Sequence, residues 1–255
     1  EDYRQPIELE EEEYLYVQSD GSMLLTRTSG WKEVKLGRVF RSKSIHTESA
    51  DRQWIRESEY VAHLGSHTVF EDQMSKLIDE PYRKDAGKIV FITDGAKWQW
   101  KWVEAEYPNA LQVLDFYHVM EHVGAYIKLC YSKKKEVEKM MKKLGRILKH
   151  RGVESLDNYL KNIPRKTKAK QTEYQKLMTY INNNRARMNY PKYLAKGLLI
   201  GSGAIEAAHR TVLQRRMKLS GQRWSEQGLE HMIKLRTMKM SGYWDNVISI
   251  IRKAA

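Results

Sequence analysis

The chain has 255 residues, enough to bury a sizeable core in one large domain or in a domain that carries an insertion. Lys and Arg outnumber Asp and Glu by 45 to 32, and the resulting net charge of +13 points to a polyanionic partner, nucleic acid first and an anionic membrane surface second. No run approaches eighteen apolar residues, the opening EDYRQPIELEEEE has neither the basic start nor the apolar centre of a signal peptide, and a lone Cys130 forms no internal disulfide. No helical membrane span and no zinc-finger spacing are therefore expected, and a reducing, cytoplasmic setting is the simplest expectation. The start without Met suggests a fragment of something longer.

Residues 1–13 read as an acidic, extended lead-in, a solvated arm. Tyr14 to Val17 is an aromatic and β-branched strand that runs into Asp20-Gly21, and Met23 to Thr28 reads as its hairpin partner, because Asp-Gly between two apolar runs signals a tight turn. Trp31 to Ser44 alternates as a third strand and Tyr60 to Leu64 forms a fourth. Phe70, Met74 and Leu77 recur at helical spacing over His67 to Ile78, with Pro81 ending that helix.

The stretch KIVFITDGAKWQWKW, Lys88 to Trp102, organises the chain. Ile89 to Ile92 is a short buried strand that stops at Thr93-Asp94-Gly95, and Trp98, Trp100 and Trp102 follow on a helix as packing residues. Asp94 thus stands at the carboxyl end of a strand, the edge where active sites collect in open α/β sheets. It is either a turn and helix-cap residue or one wall of a metal site. Ala110 to Leu114 makes another strand, ended by Asp115, and a helix through His118, Glu121, His122 and Ile127 follows.

From Lys133 to Lys176 there are 15 Lys or Arg against 5 acids, with helical spacing at Val137, Met141, Leu144 and Leu148, so this segment is a basic helical insert with either a solvated or a nucleic-acid-binding face. Tyr190-Pro191 breaks the helices. A glycine-rich entry, GLLIGSG, leads into a helix that Ser202 can cap; it carries Glu206, which is four residues from Arg210 and so able to pair with it on the surface. Arg215, Arg216, Lys218, Arg223 and Trp224 follow, then a final amphipathic helix from Glu226 to Lys239.

Two strands ending in Asp and a later helical Glu suggest a mixed sheet whose edge gathers Asp20, Asp94 and Glu206. Three converging carboxylates repel unless cations lie between them, and hard oxygen ligands suit Mg²⁺ or Mn²⁺. Two such ions could activate a hydroxyl and stabilise the leaving oxygen of a phosphoryl transfer. The expected fold class is α/β, an RNase H-like mixed sheet flanked by helices with an all-helical insertion between the second Asp and the Glu. The expected division is 1–13 lead-in, 14–131 first part of the core, 132–196 basic insertion, and 197–255 the carboxylate helix and closing helices.

The segments SDGSMLLTR, GWKEVKLGRVF, ITDGAKWQW, LDFYHVMEH, GLLIGSGAIEAAHR and SGQRWSEQGLEHMIKLR resemble the successive motifs of DDE transposases of bacterial insertion sequences, in the Kra-type branch and more distantly the Mutator-like group. The likeness runs from about Tyr14 to the end; each motif is weak alone and the set is specific. It implies that Asp20, Asp94 and Glu206 form the metal-binding triad for two Mg or Mn ions. It also implies that Asp115 and His118 match an Asp-x-x-His signature, and that the 111 residues between Asp94 and Glu206 hold a helical insertion. His118 would orient a scissile phosphate, or else is a half-buried helix histidine bonded to Asp115. Arg210, Arg215, Arg216, Lys218 and Arg223 would hold phosphates of double-stranded DNA, element ends and target alike, while Trp224 belongs to the core or stacks on a base. Synapsis of two ends implies a homo-oligomer on DNA. Family members usually carry an amino-terminal DNA-binding region, which is not expected in this chain. Two alternatives remain: an RNase H-like nuclease without strand transfer, and a basic DNA-binding protein whose acids are only caps and turn residues.

Overall fold

A computed structural model describes residues 8–49, 52–82 and 88–254. Strands β1 (Leu15–Leu25) and β2 (Trp31–Arg41) pair antiparallel over their whole length, from Leu15 opposite Arg41 to Leu25 opposite Trp31. The turn expected at Asp20-Gly21 is therefore absent, and the strand passes straight through it. Gly21 does not adopt the positive φ that a tight two-residue hairpin needs, and the chain instead reverses at Gly30, φ 67°, where the Thr26 N–H donates to the Gly30 carbonyl at 2.8 Å. Asp20-Gly21 marks another change: Leu15 to Ser19 are all buried, and from Asp20 on the strand is partly exposed apart from buried Leu24.

Strand β5 (Glu59–Leu64) adds antiparallel to β2, and a separate two-stranded ribbon, β3 (Ile45–Ser49) with β4 (Arg52–Ile55), lies between them in sequence. That ribbon has no apolar core face, which is why sequence periodicity does not reveal it. Helix α1 (His67–Tyr82) buries Phe70, Met74, Leu77 and Ile78 and runs one residue past Pro81, which was expected to end it. Strand β6 (Ile89–Thr93) is buried at all five residues, helix α2 (Lys97–Glu106) follows, and β7 (Leu111–Leu114) completes a mixed five-stranded sheet of order β5-β2-β1-β6-β7 flanked by helices. Trp100 and Trp102 are buried and Trp102 meets Phe91 edge to face at 5.5 Å, so this aromatic run packs as expected.

After β7 come α3 (Phe116–Cys130), α4 (Lys134–Lys161), α5 (Lys168–Asn184) and α6 (Tyr190–Ala195), joined among the described residues by loops and one 3-10 turn but no strand. Helix α4 is two helices end to end, broken at Gly152 with φ 80°. Tyr190-Pro191 opens α6 instead of breaking a helix: Pro fits the first turn, where its missing N–H is not needed. Then follow α7 (Gly203–Ala208), a π-helix over His209–Gln214, α8 (Arg215–Met217), α9 (Glu226–Met240) and, unforeseen, α10 (Trp244–Ala254), set off by Gly242 at φ 85°.

Of the acidic lead-in, residues 1–7 lie outside the described residues. Residues 8–13 are anchored at Leu9 and Glu13, while Glu8, Glu10, Glu11 and Glu12 are exposed. Leu9 is buried, Glu13 pairs with Arg41 at 2.6 Å, Glu10 pairs with Lys43 at 2.8 Å, and the Lys88 ammonium donates to the Leu9 and Glu10 carbonyls. Once an apolar anchor and a half-buried Arg are available, Glu10 and Glu13 have partners that composition does not reveal.

The chain divides into two compact units. The first comprises 1–91, 96–111 and 203–255, and its core gathers Leu24, Val34, Leu36, Ile205, Val212 and Ile233. The second comprises 92–95 and 112–202, with Leu144, Leu148, Leu160, Leu177 and Ile181 buried in it. Among the described residues no helix is long and apolar enough to cross a membrane.

Candidate functional site

In the first unit the site grows from the sheet. Gln18, Asp20, Leu36 and Arg38 share one face of β1 and β2, since Gln18 lies opposite Arg38 and Asp20 opposite Leu36. Helix α7 lies on that face. Its Ile205 N–H donates to Gln18 Oε1 at 3.0 Å, and Arg38 Nη1 donates to the Ala204 carbonyl at 2.6 Å. Glu206, the next residue, is exposed. Among the described residues no ion pair joins it to Arg210, and the switch from α- to π-helix after Ala208 alters the four-residue phase that would have aligned them.

Asp20 carries a side chain that is 41% exposed, with Oδ1 accepting the Gly21 N–H at 2.7 Å and Oδ2 3.5 Å from His209 Nε2. His209 itself is buried. Burial pushes His209 down to about 4; a hydrogen bond to the Asp20 main chain opposes that shift and the Lys218 charge adds to it. Sequence patterning does not single out His209, Gln18 or Arg38. The available clue is that His209 follows Glu206 by three residues, one turn along the same helix.

In the second unit Asp94 follows β6 directly but does not cap α2. The cap residue is Ala96, with no side-chain bond to the helix. The Asp94 carbonyl accepts from the Tyr180 hydroxyl at 3.0 Å. Gly95 next to it has φ +98°, and a Cβ there would sit 3.0 Å from Leu114. Only glycine takes this backbone without strain.

Asp115 is the helix cap instead. It is 3% exposed, accepts the Tyr117 N–H at 2.7 Å to start α3, and also accepts from the Ser202 N–H and hydroxyl. Ser202, expected to cap the Glu206 helix, gives its hydroxyl proton to Asp115. His118 does not bond to Asp115: its Nδ1 is 3.4 Å from Glu121, and its ring lies 5.1 Å from His122 and 6.2 Å from Tyr180. Tyr180 stacks on His122 at 4.0 Å, and burial, followed by the charges of Asp94, Asp115 and Glu121, raises its phenol well above the ordinary range.

Among the described residues no three His, Cys, Asp or Glu side chains gather at the spacing of a metal centre. The first unit brings Asp20 beside His209 and sets Glu206 on the helix docked over the same sheet face; Asp94 belongs to the second unit. A family model described as an uncharacterised protein family, UPF0236, matches residues 3–252. The chain belongs to UPF0236. No curated protein matches it.

In this UPF0236 chain the five cations expected to hold phosphates, Arg210, Arg215, Arg216, Lys218 and Arg223, are all exposed, and none joins an ion pair among the described residues. Trp224 is partly buried against the core containing Leu24 and Leu229 and bridges to Thr26, with its main chain bonded to Leu25 and Arg27. It is a packing residue. Asp20 and Glu206, both at least partly exposed carboxylates of the first unit, are hard oxygen donors of the kind a divalent cation takes.

Proposed function

We propose that this chain is the catalytic core of a DDE-type DNA transposase, which hydrolyses phosphodiesters at element ends and joins the freed 3′-hydroxyl to target DNA in the cytoplasm. The observation that carries the reading is the docking of α7 on the sheet face that bears Asp20, with exposed Glu206 at one turn's distance from His209. The order of elements supports an RNase H-like core: three antiparallel strands, a helix, a strand next to the first, and a carboxylate helix arriving after a wholly helical stretch.

Asp20, Asp94 and Glu206 would hold two Mg or Mn ions, which when bound supply activation of the attacking hydroxyl and stabilisation of the leaving oxygen. The chain's own contribution is to fix the carboxylates on rigid elements before DNA arrives: Asp20 within a paired strand, Glu206 on a docked helix, and Asp94 beside a glycine that its loop conformation requires. Neutral His209 leaves the negative charge of Asp20 undiminished. His118, 37% exposed and next to Glu121, is able to donate a ring N–H hydrogen bond to a phosphate oxygen. Arg210, Arg215, Arg216, Lys218 and Arg223 orient the duplex through its phosphates. Two copies on paired ends would complete the assembly.

A strand-transfer assay tests this directly. With Mg²⁺ or Mn²⁺, wild-type protein should nick element ends and join precleaved ends to a plasmid; chelation, Asp94→Asn or Glu206→Gln should abolish both reactions with DNA binding retained. Nicking without any joined product would move the assignment to a nuclease, and wild-type cleavage by Asp94→Asn would reject the triad.

A further inference from the structure

We infer that Gln18 and Arg38 act as a clamp on the single peptide group between Ala204 and Ile205, and that this clamp is the positioning device for Glu206. The inference rests on the catalytic reading of Glu206 given above. Gln18 and Arg38 are a directly opposed cross-strand pair, and they bind the two ends of one amide: Arg38 Nη1 donates to its carbonyl at 2.6 Å and Gln18 Oε1 accepts its N–H at 3.0 Å. The N–H belongs to the first turn of α7, where backbone donors have no partner within the helix, so the sheet supplies one. Glu206 is the residue immediately after this amide, and Asp20 lies two residues from Gln18 on the same strand face. The clamp therefore fixes the distance between the strand carboxylate and the helix carboxylate from the strand side.

Arg38 is an unusual residue for a merely structural contact. It is 7% exposed, and no carboxylate pairs with it among the described residues. Its charge is accommodated by the Ser58 hydroxyl at 2.9 Å, by the Ala204 carbonyl, and by the Phe40 and Tyr60 rings, whose centroids lie 5.4 and 5.5 Å from the guanidinium carbon. Burying an Arg without an acid is costly, and an apolar residue at this place in β2 would serve packing better. What the guanidinium adds is geometry: its planar fork reaches Ser58 on one side and the α7 carbonyl on the other, so the helix is tied to two points in the first unit. Gln18, wholly buried, completes the pair from β1.

Two conservative substitutions separate positioning from folding. Gln18→Leu keeps the volume and removes the acceptor; Arg38→Lys keeps the charge and removes the fork. In hydrogen exchange, each should speed exchange of the amides at 204–209 by about tenfold or more while the amides of β1 and α9 stay protected. In the nicking assay each should lower kcat by up to about 100-fold with little change in the KM for DNA, as expected for a displaced catalytic group. The double variant should be no worse than the more severe single one, because both act on one amide. Unchanged exchange at 204–209 in both variants overturns the clamp, as does wild-type kcat in both, or full additivity in the double variant. If wild-type protein shows no nicking with Mn²⁺ at all, the catalytic reading falls, while the exchange measurement still decides whether the clamp holds α7.

Discussion

Asp115 shows how much a single side chain can hold together. It caps α3 through the Tyr117 N–H and takes both Ser202 donors while almost wholly buried. Asp115→Ala should cost about 1–3 kcal/mol in urea unfolding, the combined effect of a missing cap and orphaned buried donors. His122 gives a pH-dependent counterpart. Burial first, and then the charge of His118, hold its pKa below 6.5 in the folded chain. As pH falls through the ordinary histidine range the unfolded chain takes up this proton more readily than the folded one, so stability contributed at neutral pH is lost on acidification. Urea unfolding at pH 7.5 and 5.5 should show lower stability at the acid value, and His122→Gln should reduce the difference. At this scale the sequence is half legible. Asp94 and Asp115 stand out at the ends of apolar strands and Glu206 on the helix after a glycine-rich entry, yet which Asp caps a helix depends on where the helix axis starts. The structure makes Asp115 the cap of α3 and Ala96 the cap residue of α2.

Elements with a buried apolar face are legible and those without one are not. β6, α1, α2, α3 and α9 follow from runs or spacings of apolar residues that turn out to be buried. The β3-β4 ribbon, anchored residues 8–13 and the continuation of β1 through Asp20-Gly21 depend on pairing with distant partners, Arg41 above all, that no local pattern encodes. Gly37 is a sharper instance of the same dependence. It lies in the buried part of β2, where a Cβ would stand 2.1 Å from Met74 Sδ and 3.2 Å from Phe70 Cζ, so α1 packs directly on strand backbone. Gly37→Ala should destabilise by about 1–3 kcal/mol as the buried Met74 side chain is forced to repack, measurable by thermal or urea unfolding with retained helical circular dichroism. Isoleucine at this position should be worse than alanine.

For the whole molecule, charge is the property that sequence states most directly. A net +13, with five exposed cations in the 210–223 segment that join no ion pair among the described residues, makes salt dependence a direct measurement. Replacing Arg215, Arg216 and Lys218 by Gln should weaken duplex binding about equally for all sequences, and should shallow the slope of log affinity against log salt by about 0.9 for each phosphate no longer neutralised. An unchanged slope would remove these residues from the DNA surface. The sequence by itself determined the α/β class, the buried strand before Asp94, the helical character of 116–195 and the basic balance, because each is written in composition or in short-range periodicity. Only the tertiary structure decided that β1 runs through Asp-Gly and that Asp115 is the cap. It alone set His209 against Asp20 and closed Gln18 and Arg38 on the amide before Glu206, because these outcomes depend on which distant groups burial brings within hydrogen-bonding reach.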